Sequence, residues 1–430
     1  MKRIGIVILF LLFLTPNAVS AETLYDQYKT DLGLTINSYS ENWTGYKLIE
    51  VYEEFKKNTY GDEIKYLKEI NLYSDNPSGG QEEGVYNASY NRLKILGNEK
   101  IILSKENTID LYNLSNKQTV EDFARTLSHE YGHHFTLYYL IQYENKTFDD
   151  WRDTKLYQVR KLEGYDKVTN NYINGHEWSI IEICAEDYVQ LYGSSTGKEA
   201  YYFEDIEQRY YSGSINKSAS YQYSIYNINP QENNNIPLVL EVPQVKEYWQ
   251  NASGMESKVK APTKPTIALV DTEDLGYDKI QYKLQWTKSI DIDEQEVQYY
   301  TVVATDLQGE DIIPIKTVSQ GEPLEAVVGS IRVTNDKNIM FYTDSFIDNP
   351  KLFKVYAMSS IGGIVSSDTL KVDFNNPSVT TLKSLAVSNM PIEDEKELAP
   401  IIVNRKGNKY IDKVLDMILL IVEKIKNFSN

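Results

Sequence analysis

His129-Glu130-Tyr131-Gly132-His133-His134 holds three of the four histidines in this chain, and the fourth, His176, lies downstream. The first five residues read His-Glu-x-x-His. On an α-helix, residues four apart stand one above the other on a single face. His129 and His133 therefore offer two imidazoles to one ion, and imidazole is the commonest metal-ligating side chain near neutral pH. Glu130 lies beside that face, within reach of a water on the metal. His134 is five residues from His129 and is turned off the face, toward core packing or a hydrogen bond. The reading requires that the motif sit on a helix and that a third ligand exist.

Upstream, the Thr119 hydroxyl can cap a helix, and Asp122 suits the same end of the helix dipole. Phe123, Leu127, Tyr131, Phe135 and Tyr138 supply the buried stripe of a helix that carries the motif in its middle. Another helix is expected from Tyr46 to Lys57. Strands are expected from Tyr66 to Tyr73, Val85 to Leu96 and Ile101 to Ser104, the last two joined by a turn at Gly97-Asn98. An exposed edge strand beside a metal helix can align an extended peptide by main-chain pairing.

Downstream, the run from His176 to Asp187 opens a second helix, expected from Ser179 to Gly193. Glu182 and Glu186 share one face of it. The other face carries Ile181, Cys184, Tyr188 and Leu191. A catalytic zinc site takes three protein ligands and keeps one position for water. Either carboxylate can complete the set begun by His129 and His133. Glu182 has a rival role, because Ser179 and Glu182 spell a capping box. Cys184 points away from both carboxylates and reads as a buried apolar thiol. As the only cysteine of the chain, it excludes an internal disulfide framework.

The chain start has the pattern of a secretion signal. Lys2 and Arg3 precede an apolar run from Ile4 to Leu14, Thr15-Pro16-Asn17 breaks it, and Val19-Ser20-Ala21 fits a cleavage site. Residues 1–21 are expected to be removed, and export without disulfides suits a bacterial, Gram-positive source. The formal net charge of −18 becomes −20 without Lys2 and Arg3. Such an acidic chain repels nucleic acid, which excludes a general DNA or RNA role. The 35 tyrosines could stack on glycans or peptides, but ordinary half-buried aromatics are the plainer reading.

Residues 22–260 read as one mixed α/β unit, ending in an Asn- and Pro-rich stretch with a short helix near Val245 to Trp249. From 261 the texture changes. Leu284-Gln285-Trp286, Gln298 to Ala304 and Phe353 to Met358 are β-rich, and about seven short strands fit between Pro265 and Phe374, a sandwich pattern over 261–375. Asp291-Ile292-Asp293-Glu294 reads as a solvated acidic turn, short of a calcium cage. Residues 376–409 form a polar linker. Residues 410–430 are amphipathic, with Ile411, Val414, Leu415, Ile418, Val422 and Ile425 on one face. That face suits docking, self-association or a membrane surface.

His-Glu-x-x-His followed about fifty residues later by Glu182-x-x-Ala185-Glu186 resembles the gluzincin metallopeptidases. The short sheet before the helix and the Ala185-Glu186 step are similar to the group of anthrax lethal factor and the Pro-Pro endopeptidases, over roughly residues 40–195. The resemblance implies an α+β zincin-like catalytic domain, a small sheet plus active-site helices. It implies zinc held by His129, His133 and Glu182, with Glu130 as general base. Glu186 then matches the acidic residue that fixes a ligating histidine, and remains the alternative ligand. Members of that group place a tyrosine a few residues before the ligand glutamate, for the oxyanion. This chain has Gly175 there, with His176 beside it and Tyr172 slightly earlier, so His176 and Tyr172 are both candidates. Pro262, Pro265, Trp286, Tyr299-Tyr300-Thr301-Val302, Tyr356-Ala357 and Gly362-Gly363 resemble a fibronectin type III domain.

The expectation is a secreted zinc endopeptidase acting on a protein or peptide substrate. The sandwich or the last helix would associate it with a cell surface or wall. Two rivals stand beside it: a non-enzymatic surface adhesin with a vestigial metal site, and a hydrolase of cell-wall peptide. The intact Glu130 favours an enzyme, because a purely structural site needs no base.

Overall fold

The computed structural model describes residues 22–95, 98–198, 235–274, 280–290, 297–307, 313–329, 331–334, 339–342, 351–359, 362–373 and 377–379. The expected signal at 1–21, the acidic turn at 291–294, nearly all of the linker and the helix at 410–430 lie outside the described residues. Everything described belongs to the first of two units, Met1–Leu385. It is a mixed α/β structure with several sheets.

In chain order the first part carries β1 (Asp26–Lys29), β2 (Thr35–Tyr39), α1 (Tyr46–Phe55), β3 (Leu67–Tyr73), β4 (Gly84–Asn87), β5 (Tyr90–Ile95), β6 (Asn98–Leu103) and β7 (Asn107–Leu111). Five of the strands form a sheet in the order β1-β2-β3-β7-β4. β2, β3 and β7 run parallel, and α1 makes the crossover between the first two, as a parallel pair requires. β1 and β4 are antiparallel edges. Successive residues face opposite sides, so Ile36, Ile70, Leu72, Ile109 and Leu111 are buried on one face. On the other, Asn37 donates to Asn71 at 2.9 Å and Asn71 to Asp110 at 2.7 Å.

The single strand expected from Val85 to Leu96 is two strands. At Ala88-Ser89 the chain leaves the sheet, where the Asn107 side chain accepts the Ser89 N–H at 3.1 Å. β5 then pairs only with β6, as a separate hairpin.

Thr119 and Asp122 form the expected capping box, but around a short 3-10 turn, Val120–Phe123. The long helix α2 (Ala124–Glu144) follows and ends at Asn145 in the left-handed region, φ 52°. Asn145 donates to Glu99 O at 2.8 Å and accepts from Ile101 N–H at 2.9 Å, which docks the hairpin on the helix end. After α3 (Lys155–Val159) come α4 (Ile180–Tyr192), α5 (Ser195–Lys198) and α6 (Pro243–Ser253). Pro243 pre-sets the first turn of α6, which is longer than the expected piece around Val245 to Trp249.

α2 packs on β4 and β7 and lies along α4. A single buried stripe was expected on α4, yet only Ile181 of its residues is partly exposed. The helix is enclosed on all sides, so its polar residues must find partners. Ser179 makes no side-chain cap, so the capping box with Glu182 does not form.

The second part carries β8 (Ile267–Asp274), β9 (Ile280–Trp286), β10 (Val297–Thr305), β11 (Ile313–Ser319), β12 (Glu325–Gly329), β13 (Ile331–Thr334), β14 (Ile339–Tyr342), β15 (Lys351–Ser359), β16 (Ile364–Ser366) and β17 (Leu370–Val372). These ten exceed the expected seven. β11-β10-β15-β16, with β17 beside β15, is one sheet and β12-β9-β8 another. Both feed one core, in which Leu284 and Trp286 of β9 meet Tyr300, Val302, Phe353 and Val355. This core is tied to α4. Gln190 donates to Ile364 O at 3.3 Å, and Glu241 accepts the Ser366 N–H and hydroxyl at 2.7 and 2.8 Å. No described helix is long and apolar enough to cross a membrane.

Candidate metal centre

The helical spacing of His129 and His133 does what it predicts. Their rings stand 4.7 Å apart at right angles on α2. α4 brings Glu182 opposite them, with its Oε2 3.0 Å from His129 Nε2 and 3.4 Å from His133 Nε2. Donor atoms around a four-coordinate ion bound at about 2.0–2.1 Å stand roughly 3.3–3.4 Å apart. The spacing and the donor chemistry therefore both fit, and His129, His133 and Glu182 could hold a metal ion. The centre is nearly enclosed: His129 keeps 12% of its side-chain exposure, His133 10% and Glu182 3%.

Helix approach makes this possible. A β-carbon added to Gly132 would come 2.7 Å from Ala185 O and 3.1 Å from Ala185 Cα. Only two small residues at the crossing let α2 and α4 come this close. Gly84 on edge strand β4 also has a steric role at this site. A β-carbon there would meet Glu130 Cγ at 2.8 Å and Oε1 at 2.9 Å. The Tyr86 N–H, two residues along, also bonds the Glu130 carboxylate. Glu130 is thus held between the edge strand and the two histidines.

Glu186 is not in the ligand group. Its Oε1 accepts His129 Nδ1 at 2.6 Å and its Oε2 accepts Arg125 Nη2 at 2.6 Å. Holding the Nδ1 proton there leaves Nε2 of His129, 3.0 Å from Glu182 Oε2, as the nitrogen that would face an ion. Tyr172 and His176 both reach the ligand carboxylate. The Tyr172 hydroxyl donates to Glu182 Oε1 at 2.9 Å, and His176 Nε2 lies 3.4 Å from Oε2. Their rings stack 5.2 Å apart at 8°. Cys184 is fully buried.

The charges shift each group accordingly. Burial alone would raise the Glu182 carboxyl, but His133 and His129 outweigh it and hold it well below the usual range. Burial pulls His129 down, yet hydrogen bonds and charge from Glu182 and Glu186 leave it well above the usual imidazole value. Burial pushes Glu130 up, with His133 and His129 offsetting only part. Burial takes His134 down to about 4. Its ring is spent on structure: Nε2–H donates to the carbonyl of Glu63 at 2.8 Å, so Nδ1 accepts the Tyr86 hydroxyl at 2.9 Å. Glu63, fully buried, accepts the Tyr131 and Tyr139 hydroxyls at 2.7 and 2.6 Å.

Sequence reading missed Arg125, Gly84, Tyr86 and Glu63. Arg125 left a signal, since it stands four residues before His129 on the same face. Gly84, Tyr86 and Glu63 are recruited from other elements and left none.

Residues 45–300 match a protein-family model whose description reads only ":-like". No curated protein matches the chain. Among solved structures, pectate lyase Pel3 from Pectobacterium carotovorum is 13% identical over 28% of each chain, with a TM-score of 0.17. Wild-type OgpA from Akkermansia muciniphila is 10% identical over 36% of this chain and 39% of its own, with a TM-score of 0.17. The chain spans well under half the length of either. Overlaps this slight carry no argument about fold or activity.

Proposed function

The chain belongs to the family whose model spans residues 45–300, and we propose that it is a secreted zinc endopeptidase of the gluzincin type. One observation carries the reading: two imidazoles and a carboxylate converge within 4.8 Å of one another, with buried Glu130 beside them. This is the donor set of a catalytic zinc site rather than a closed structural one. When bound, zinc supplies a water acidified toward neutral pH and a positive charge beside the scissile carbonyl.

The chain's own groups do the rest. Glu130 takes a proton from the attacking water and passes it to the leaving amine, a role suited to a carboxyl raised by burial. Glu186, backed by Arg125, holds His129 in the ligating tautomer. His176, half exposed beside Glu182 Oε2, is the group assigned in this reading to donate to the developing oxyanion. The edge of β4 that faces Glu130 supports main-chain pairing with an extended peptide. In this reading the first part is the zincin-like domain. The second is a fibronectin-like sandwich that attaches the enzyme to a surface or partner.

The test uses a peptide library with and without chelator, together with Glu130→Gln. The variant is expected to retain stoichiometric zinc and lose turnover by at least about 10²-fold. Full turnover in Glu130→Gln, or chelator-insensitive cleavage, rejects the reading.

A further inference from the structure

Glu182 Oε2 is approached by three imidazoles, not two. His129, His133 and His176 place Nε2 at 3.0, 3.4 and 3.4 Å from that one oxygen. We propose that His176 is a displaceable fourth protein donor to the metal, closing the site in the absence of substrate. The proposal rests on the metal-centre reading above and deepens it.

Four features of the loop support it. The separation of His176 Nε2 from Oε2 is the spacing of two ligands on one four-coordinate ion, roughly 3.3–3.4 Å. The other carboxylate oxygen, Oε1, already accepts the Tyr172 hydroxyl at 2.9 Å, so Glu182 presents Oε2 alone to the site. Stacking on Tyr172 at 8° orients the His176 ring. Finally, the His176 side chain is 53% exposed, against 12% for His129 and 10% for His133. Three donors are enclosed and fixed, and one faces solvent.

The backbone makes His176 the movable member. Gly175 turns the chain at φ 109°, and His176 opens a short 3-10 turn, His176–Trp178, ahead of α4. His176 stands against the Glu182 corner, outside the tight group of three. Rotation of a half-exposed side chain carries it inward or outward, while α2 and α4 stay in place. Four protein donors make a closed site, and three leave a position for water. Substrate carbonyl and His176 would thus compete for one position. On leaving, the half-exposed imidazole takes up a proton from solvent at Nε2 and becomes a hydrogen-bond donor beside the carbonyl oxygen.

The experiment compares full-length wild type with His176→Phe, His176→Ala and His129→Ala. Phenylalanine keeps an aromatic ring on Tyr172 but cannot ligate. Zinc affinity is read by competition with a chromophoric chelator, coordination by the visible spectrum of the Co(II)-substituted protein, and folding by circular dichroism of each metal-free form. His176→Phe and His176→Ala are expected to weaken zinc at least about tenfold and to change the Co(II) spectrum. Free imidazole should restore the wild-type spectrum in His176→Ala. Unchanged affinity and spectrum in both His176 variants overturn the proposal while leaving the metal centre intact. If wild type binds no zinc, or His129→Ala binds it equally well, the metal-centre reading itself fails. A variant that loses its fold is replaced by His176→Gln under the same criteria.

Discussion

Gly132 lies against Ala185 so closely that a β-carbon on the glycine would reach within 2.7 Å of the alanine carbonyl oxygen. The contact sets the distance between α2 and α4, and thereby between the histidines and Glu182. Gly132→Ala must push backbone against backbone, at a cost of about 1–3 kcal/mol. Zinc affinity is expected to fall with stability, since both depend on that spacing. Thermal unfolding and zinc titration of the variant check this, and unchanged zinc affinity rejects it.

Gly84→Ala separates turnover from metal binding. The added methyl meets Glu130, not a ligand. A displacement of a catalytic group by about 1 Å can cost roughly 10²-fold in rate. The variant should keep zinc and lose kcat; loss of zinc with unchanged kcat per bound ion would contradict this.

Glu186→Gln leaves His129 without its acceptor carboxylate. Removing such an outer partner typically costs about 10–100-fold in metal affinity. Arg125→Met leaves the fully enclosed Glu186 carboxylate short of a cation, and should lower the melting temperature as well. Zinc competition and thermal unfolding measure the two effects.

Asp187, beside Glu186, pairs with buried Arg160 at 3.1 Å. Burial raises its carboxyl from 3.8 to about 6, with Arg160 offsetting only part. The folded protein thus holds this proton more tightly than the unfolded chain does, and stability from this group rises as pH falls from about 6 to about 4. Asp187→Asn removes the titration. The stability advantage of wild type over the variant should widen across that window, by up to roughly 3 kcal/mol, and stay level above pH 7. Urea unfolding across pH decides it, and a gap that narrows toward acid is the contrary result.

Metal removal should register in stability. An ion that binds only the folded state at 100 times its Kd contributes about 2.7 kcal/mol. Chelation should lower the melting temperature of wild type and leave that of His129→Ala unmoved.

Sequence periodicity was most informative along α2 and α4. The i, i+4 pairs His129/His133 and Glu182/Glu186 depend only on helical geometry, and both faces meet as that geometry requires. What periodicity could not convey was distance between elements. The choice between Glu182 and Glu186 as the group beside His133 depends on how α4 is rotated against α2, which Gly132 and Ala185 decide together. Gly84 and Tyr86 join Glu130 only because β4 is the sheet edge beside α2. The break at Ala88-Ser89 was hidden because Asn107, a later residue, draws the backbone out of the ladder. On α4, burial of nearly every residue erased the one-sided pattern.

The bond from Gln190 to Ile364 and the grip of Glu241 on Ser366 have a practical consequence for trimming the chain. A fragment ending before β8 would leave an amide on the ligand-bearing helix facing water where a carbonyl had been, and a carboxylate without its serine. Such a fragment would unmask the flank of α4, so expressing the first part alone should yield a less soluble protein whose zinc occupancy understates that of the whole.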